Sequence, residues 1–164
     1  MTEVIANITS SRGDEYRLRL SSSGGRFLSD KIRLKVSSSI DILTIELERI
    51  KGQMPTGHAV LAQIEKIVAD TFMQHSDSII CFICDFMSPI PSTRKKIPVQ
   101  QYRSLLFTKM FERYLSLNAI EDVMQSILTI EGINEEYYIH IIARNKHVKY
   151  VNMLGEDIRT GYSK

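Results

Sequence analysis

The chain has 164 residues, 43% of them hydrophobic and 24% charged, the profile of a soluble globular protein with room for one core, which excludes disorder over most of its length. A formal net charge of +2 is too small to name a partner by itself. No basic stretch followed by an apolar core opens the chain, and no apolar run approaches the roughly 18–20 residues that span a bilayer, so neither a secretory leader nor a membrane span is expected.

In chain order, residues 1–14 are weakly patterned. Val4, Ile5 and Ile8 suggest a short first strand, and Ser10-Ser11-Arg12-Gly13-Asp14 a turn. From Glu15 the pattern sharpens: Tyr16, Leu18 and Leu20 alternate with Arg17 and Arg19, which predicts a half-buried strand. After a Ser/Gly turn, Ile32, Leu34 and Val36 alternate with Lys31, Arg33 and Lys35. Leu43, Ile45 and Leu47 then alternate with Thr44, Glu46 and Glu48. Three alternating segments with short polar connections predict an antiparallel meander with one wet face.

Residues 52–57 break this pattern. A helix is expected over 58–74, with Leu61, Ile64, Val68 and Phe72 as its apolar stripe. The run Ile79-Ile80-Cys81-Phe82-Ile83-Cys84 has no polar alternation, so it reads as a central strand covered on both faces. Pro89, Pro91 and Pro98 exclude helix interior or central strand from the segment after it. A second helix follows over 99–117, with Val99, Tyr102, Leu106, Met110, Tyr114 and Leu117 on its buried side. Residues 120–131 fit either helix or strand. Ile127-Leu128-Thr129-Ile130 favours a strand at 123–130, closed by Gly132. Residues 137–143 form another strand. The spacing of Val148, Val151, Leu154 and Ile158 predicts a closing helix, against which Gly155 counts.

The order is thus β-β-β-α-β-α-β-β-α: a single α+β domain over 1–164, with a mostly antiparallel sheet, helices covering a face, and weakly ordered ends at about 1–14 and 160–164. Cys81 and Cys84, three apart in one strand, face opposite sides and are poorly placed for a disulfide. C-x-x-C spacing serves zinc or redox chemistry on a turn or helix start, not with Phe82 and Ile83 between the cysteines in a strand. They read as buried structural thiols, and reduced thiols fit a cytoplasmic protein.

Arg103 falls inside the apolar stripe of the 99–117 helix, where a charge needs a partner. Asp85, which ends the central strand, is the natural one. The expected Asp85–Arg103 ion pair clamps helix to sheet in the plainer reading and forms a ligand or catalytic site in the sharper one. Around these residues, Ile79-Ile80-Cys81-Phe82-Ile83-Cys84-Asp85 and Tyr102-Arg103-Ser104-Leu105-Leu106-Phe107 resemble a family of small uncharacterised bacterial proteins. In that family a hydrophobic strand ends in Ile-Cys-Asp, and a following helix carries Arg, then Leu-Phe, then Trp-Phe. Met110-Phe111 stand where Trp-Phe is usual, and the segment 86–101 is longer than the family's. The resemblance covers about residues 15–158. It implies the same fold and gives weight to Asp85 and Arg103, without implying an activity.

Two basic surfaces stand out. Arg94, Lys95 and Lys96 on the proline-bounded segment 86–101, with Lys109 on the helix after it, make a candidate partner-binding surface. Arg17, Arg19, Lys31, Arg33 and Lys35 make a basic sheet face that would grip a phosphate backbone. Glu46 and Glu48 on the next strand oppose that use, and no aromatic residues interleave with the cations. The four histidines, His58, His75, His140 and His147, show no metal spacing, and His140 reads as a hydrogen-bonded strand histidine rather than a general base. Ser88, Ser92 and Thr93 lack a positioned base. No metal, cofactor or catalytic residue is indicated. A 137–143 strand at a sheet edge would offer a route to a homodimer. The sequence therefore favours a small interaction protein that contacts a protein partner, an acidic one in the simplest case, through 86–101. The alternatives are nucleic-acid binding through both basic surfaces and an enzyme of unknown reaction at Asp85 and Arg103.

Overall fold

The computed structural model describes residues 2–22, 28–36, 39–53, 56–84, 98–132 and 136–162. It is an α+β fold with a six-stranded, mostly antiparallel sheet. The strands are β1 (Glu3–Thr9), β2 (Glu15–Ser21), β3 (Asp41–Lys51), β4 (Ser78–Cys84), β5 (Val123–Glu131) and β6 (Glu136–Arg144), in the spatial order β1-β2-β3-β4-β6-β5. Only β3 and β4 pair in parallel, joined by a crossover through α2 (His58–Gln74). The other helices are α1 (Asp30–Val36), α3 (Val99–Leu117) and α4 (Val148–Tyr162).

Helices cover both faces of the sheet rather than one. α1 and α4 pack on one side through Ile32, Val36, Val151, Leu154 and Ile158, against Ile79, Cys81, Ile139 and Ile141. α2 and α3 lie on the other side, over Leu18, Leu20, Leu43, Ile80, Phe82 and Ile142. This explains the unbroken apolar run of β4: Ile79, Ile80 and Cys81 are fully buried because each face of a central strand meets a helix layer.

The expected three-strand meander is corrected at its middle member, because residues 30–36 are helical. Leu28, Ile32 and Val36 recur every fourth residue and are buried, while Leu34 is 78% exposed. A strand would have put Leu34 on the same face as Ile32 and Val36. Ser29 decides between the two periods. Its hydroxyl accepts from the Ile32 N–H and its carbonyl from the Arg33 N–H, an N-cap that starts a helix. Asp157 of α4 accepts from the Ser29 amide and hydroxyl, tying the two helices of this face together.

The ends are more regular than expected. β1 pairs with β2 over seven consecutive positions, and α4 continues to Tyr162. Residues 123–131 are a strand, as favoured. The 137–143 segment, however, lies inside the sheet as part of β6, hydrogen-bonded to β4 on one side and β5 on the other. It has no free edge to offer a second copy, and the sheet edges are β1 and β5.

The wide end of β3 carries a local constraint. Gly52 has φ +101, and a Cβ there would collide with the Asp14 carboxylate. Asp14 is itself 5% exposed and accepts from Arg49, whose guanidinium lies over the Tyr16 ring and also donates to Thr56. Gly52→Ala should therefore cost about 2–3 kcal/mol, through left-handed strain plus a disrupted ion pair. A chemical-denaturation midpoint unchanged by the substitution would contradict this packing.

Candidate functional site

The polar centre of the molecule lies where α3 meets β5 and β6. His140 sits in the middle of β6, fully buried, because β6 is flanked by strands on both edges and by helices on both faces. Its ring stacks on Phe82 at 4.9 Å and 13°, and Phe107 tilts onto Phe82 from α3. Ser104 Oγ lies 2.8 Å from His140 Nε2, and Gln125 Nε2 lies 2.7 Å from His140 Nδ1. Burial pushes the His140 pKa down to about 4, so the ring is neutral near pH 7.

The proton positions follow from the next partner out. Thr108 donates its hydroxyl proton to the Ser104 carbonyl, so its oxygen accepts from Gln125 Nε2. That orients the Gln125 amide with its second N–H toward His140 Nδ1. With the amide in this orientation, which leaves Gln125 Oε1 buried without a partner among the described residues, Nδ1 accepts and Nε2–H donates to Ser104 Oγ. A serine activated for attack needs the reverse, a histidine nitrogen free to take its proton. Ser104 is also 5% exposed and His140 fully buried, which keeps a substrate away. The arrangement has the spacing of a Ser–His pair and the chemistry of a clamp: it holds the N-terminal half of α3 against the sheet. The strand histidine is hydrogen-bonded, as its sequence context suggested, whereas Ser104, Gln125 and Thr108 carried no sequence signal.

The predicted site residues are only partly brought together. Arg103 is on the inner side of α3 and 2% exposed, as its helical phase required. Its expected partner Asp85 lies outside the described residues, as do Arg94, Lys95, Lys96, Ser88, Ser92 and Thr93. Lys109 is exposed on α3. The expected basic sheet face is only partly on the sheet, and Arg33 reaches from α1 to the Ser22 carbonyl beside β2. Arg17 and Arg19 are on β2, while Lys31, Arg33 and Lys35 are on α1. The two arginines are also met by acids on neighbouring strands, Arg17 by Glu48 at 3.5 Å and Arg19 by Glu3 at 2.7 Å and Glu46 at 3.7 Å. These cross-strand acids offset the charge of Arg17 and Arg19.

Cys81 is fully buried, and burial pushes its thiol up to about 12, against a small opposing effect from Arg33. It is an inert core thiol, not a nucleophile or metal ligand. Among the described residues no group of three or more His, Cys, Asp or Glu side chains is placed to hold a metal ion, and no helix is long and apolar enough to cross a membrane.

A second buried cation was not foreseen. Arg144, at the end of β6, is 8% exposed. Its guanidinium donates to the carbonyls of Phe72, His75 and Ser76 at 2.8–3.2 Å and lies 4.3 Å above the Phe72 ring. It thereby ties the end of α2 and the turn after it to β6, a structural rather than a ligand-binding task.

No family model, curated protein or solved structure matches this chain. The α+β fold and the site geometry are therefore the basis for any functional reading.

Proposed function

We propose that the protein is a small cytoplasmic binding protein whose contact surface is the basic segment 86–101 and whose partner is an acidic protein. One observation carries the reading. β3 and β4 are parallel, so both end at the same end of the sheet, and α2 and α3 both begin there. Neither helix N-terminus has a side-chain cap, and neither has an acidic residue in its first turn. Each helix start therefore contributes a positive partial charge of about half a unit, with no capping side chain or first-turn acid among the described residues. The sequence attaches Arg94, Lys95 and Lys96 between the end of β4 and the start of α3. Arg94, Lys95 and Lys96 add three positive charges to this connection, and an anionic partner would offset them.

An acidic protein is favoured over nucleic acid because the second basic surface is divided between a sheet face and a helix and is partly neutralised. The resemblance to small bacterial proteins belongs with this reading and adds no activity to it. The test is fluorescence anisotropy with a labelled Glu- and Asp-rich peptide. The combined Arg94→Ala, Lys95→Ala and Lys96→Ala variant should lose about tenfold or more in affinity, with its melting temperature unchanged. Wild-type affinity in that variant would place the contact elsewhere.

A further inference from the structure

The C-terminal half of α3 packs on the sheet with its apolar side chains only partly covered. Among its described side chains the buried ones are polar, Gln100, Arg103 and Ser104, while Phe107, Met110, Phe111 and Tyr114 are only partly covered. Between those four and α2 runs a largely apolar crevice of about 40 Å³, partly open to solvent, with Ile45 and Ile142 of the sheet and the polar Gln125 and His140 among its lining. Typical small-molecule pockets hold about 300 Å³ or more, so this one takes the end of a short hydrocarbon chain and not a ring system.

Near neutral pH one lining side chain carries a formal charge, Glu65 on α2. Partial burial raises its carboxyl, and the Arg113 guanidinium on α3 acts in the opposite sense. No hydrogen bond or ion pair within the described residues holds Glu65. A carboxylate at the side of an apolar crevice selects among occupants. An anion is repelled, and a neutral hydrocarbon would desolvate the carboxylate further without compensation. A cation with a hydrocarbon end answers both walls, and the rings of Phe107, Phe111 and Tyr114 add attraction for its positive head.

We infer that this crevice is a binding site for a small aliphatic amine, its hydrocarbon end between α2 and α3 and its ammonium group beside Glu65.

The test is NMR of the full chain with labelled methionine methyl groups, titrated with 3-methylbutylamine. Met73 and Met110 line the crevice, while Met124 and Met153 pack on the opposite face of the sheet and serve as internal controls. The amine should shift Met73 and Met110 alone and saturate at about millimolar concentration, as suits a ligand of so few atoms. The neutral 3-methylbutanol should bind about tenfold more weakly, and Glu65→Gln should weaken the amine by about tenfold. Arg113→Gln, an exposed change, should tighten amine binding by removing an opposing cation. Absence of shifts, equal binding of the alcohol, or unchanged affinity in Glu65→Gln or Arg113→Gln would overturn the assignment.

Discussion

Replacing Arg144 by methionine should lower folding stability by about 3–4 kcal/mol, among the largest effects of any single substitution in this chain. Methionine retains the apolar stem that packs on Phe72. The loss is therefore assigned to the guanidinium's hydrogen bonds to the carbonyls of Phe72, His75 and Ser76, of which, among the described residues, Phe72 and His75 keep backbone donors and Ser76 does not. Arg144→Lys should recover only part of this, because one ammonium cannot reproduce a planar fork reaching three acceptors. Urea unfolding followed by circular dichroism measures the cost. Hydrogen exchange should show the last turn of α2 opening first. A loss below about 1 kcal/mol would mean that solvent replaces the guanidinium at those carbonyls.

The second large effect is one of pH. His140 titrates near its ordinary value of 6.5 when unfolded and at about 4 when folded. Between those values the unfolded chain binds a proton that the folded chain refuses, so stability rises with pH across this window. The His140 contribution is fully present above about pH 6.5 and is lost progressively as pH falls toward 4. It amounts to about 3 kcal/mol for a shift of this size. His147, whose pKa burial also lowers, adds to the slope with the same sign. His140→Gln removes the titrating group while keeping a polar side chain between Ser104 and Gln125. Its stability should fall less than wild type between pH 6.5 and 5, although it is lower at pH 7.5. Parallel pH profiles for the two proteins would show that His140 is not a neutral buried ring.

Much of this architecture is legible in the residues. The apolar run 79–84 announces a central strand, and the stripes of 58–74 and 99–117 announce the helices that cover one of its faces. The error at 30–36 has a definite origin. Ile32, Leu34 and Val36 satisfy a period of two, while Leu28, Ile32 and Val36 satisfy a period of four, and the helix-starting Ser29 was the deciding signal. The place of 137–143, which the sequence left open between an edge and a covered strand, is similar. Consecutive buried residues from Ile139 to Ala143 carry the same two-sided signature as β4. Read that way, they describe an interior strand. The polar clamp was legible only at His140. Ser104, Thr108 and Gln125 become partners through a helix-to-sheet docking that no local pattern encodes, and Arg144 meets the end of α2 across 68–72 residues of sequence.

The basic segment 86–101 is proposed to prefer an acidic protein. A competition experiment tests it most directly. A labelled acidic peptide is bound to the protein at physiological salt and challenged with excess unlabelled single-stranded DNA, with the Arg94→Ala, Lys95→Ala and Lys96→Ala variant alongside. The account predicts that the peptide binds, that the DNA fails to displace it, and that the variant loses it. Displacement by DNA, with a DNA affinity that falls linearly in log–log terms as salt rises, would contradict the account and make this surface a nucleic-acid interface.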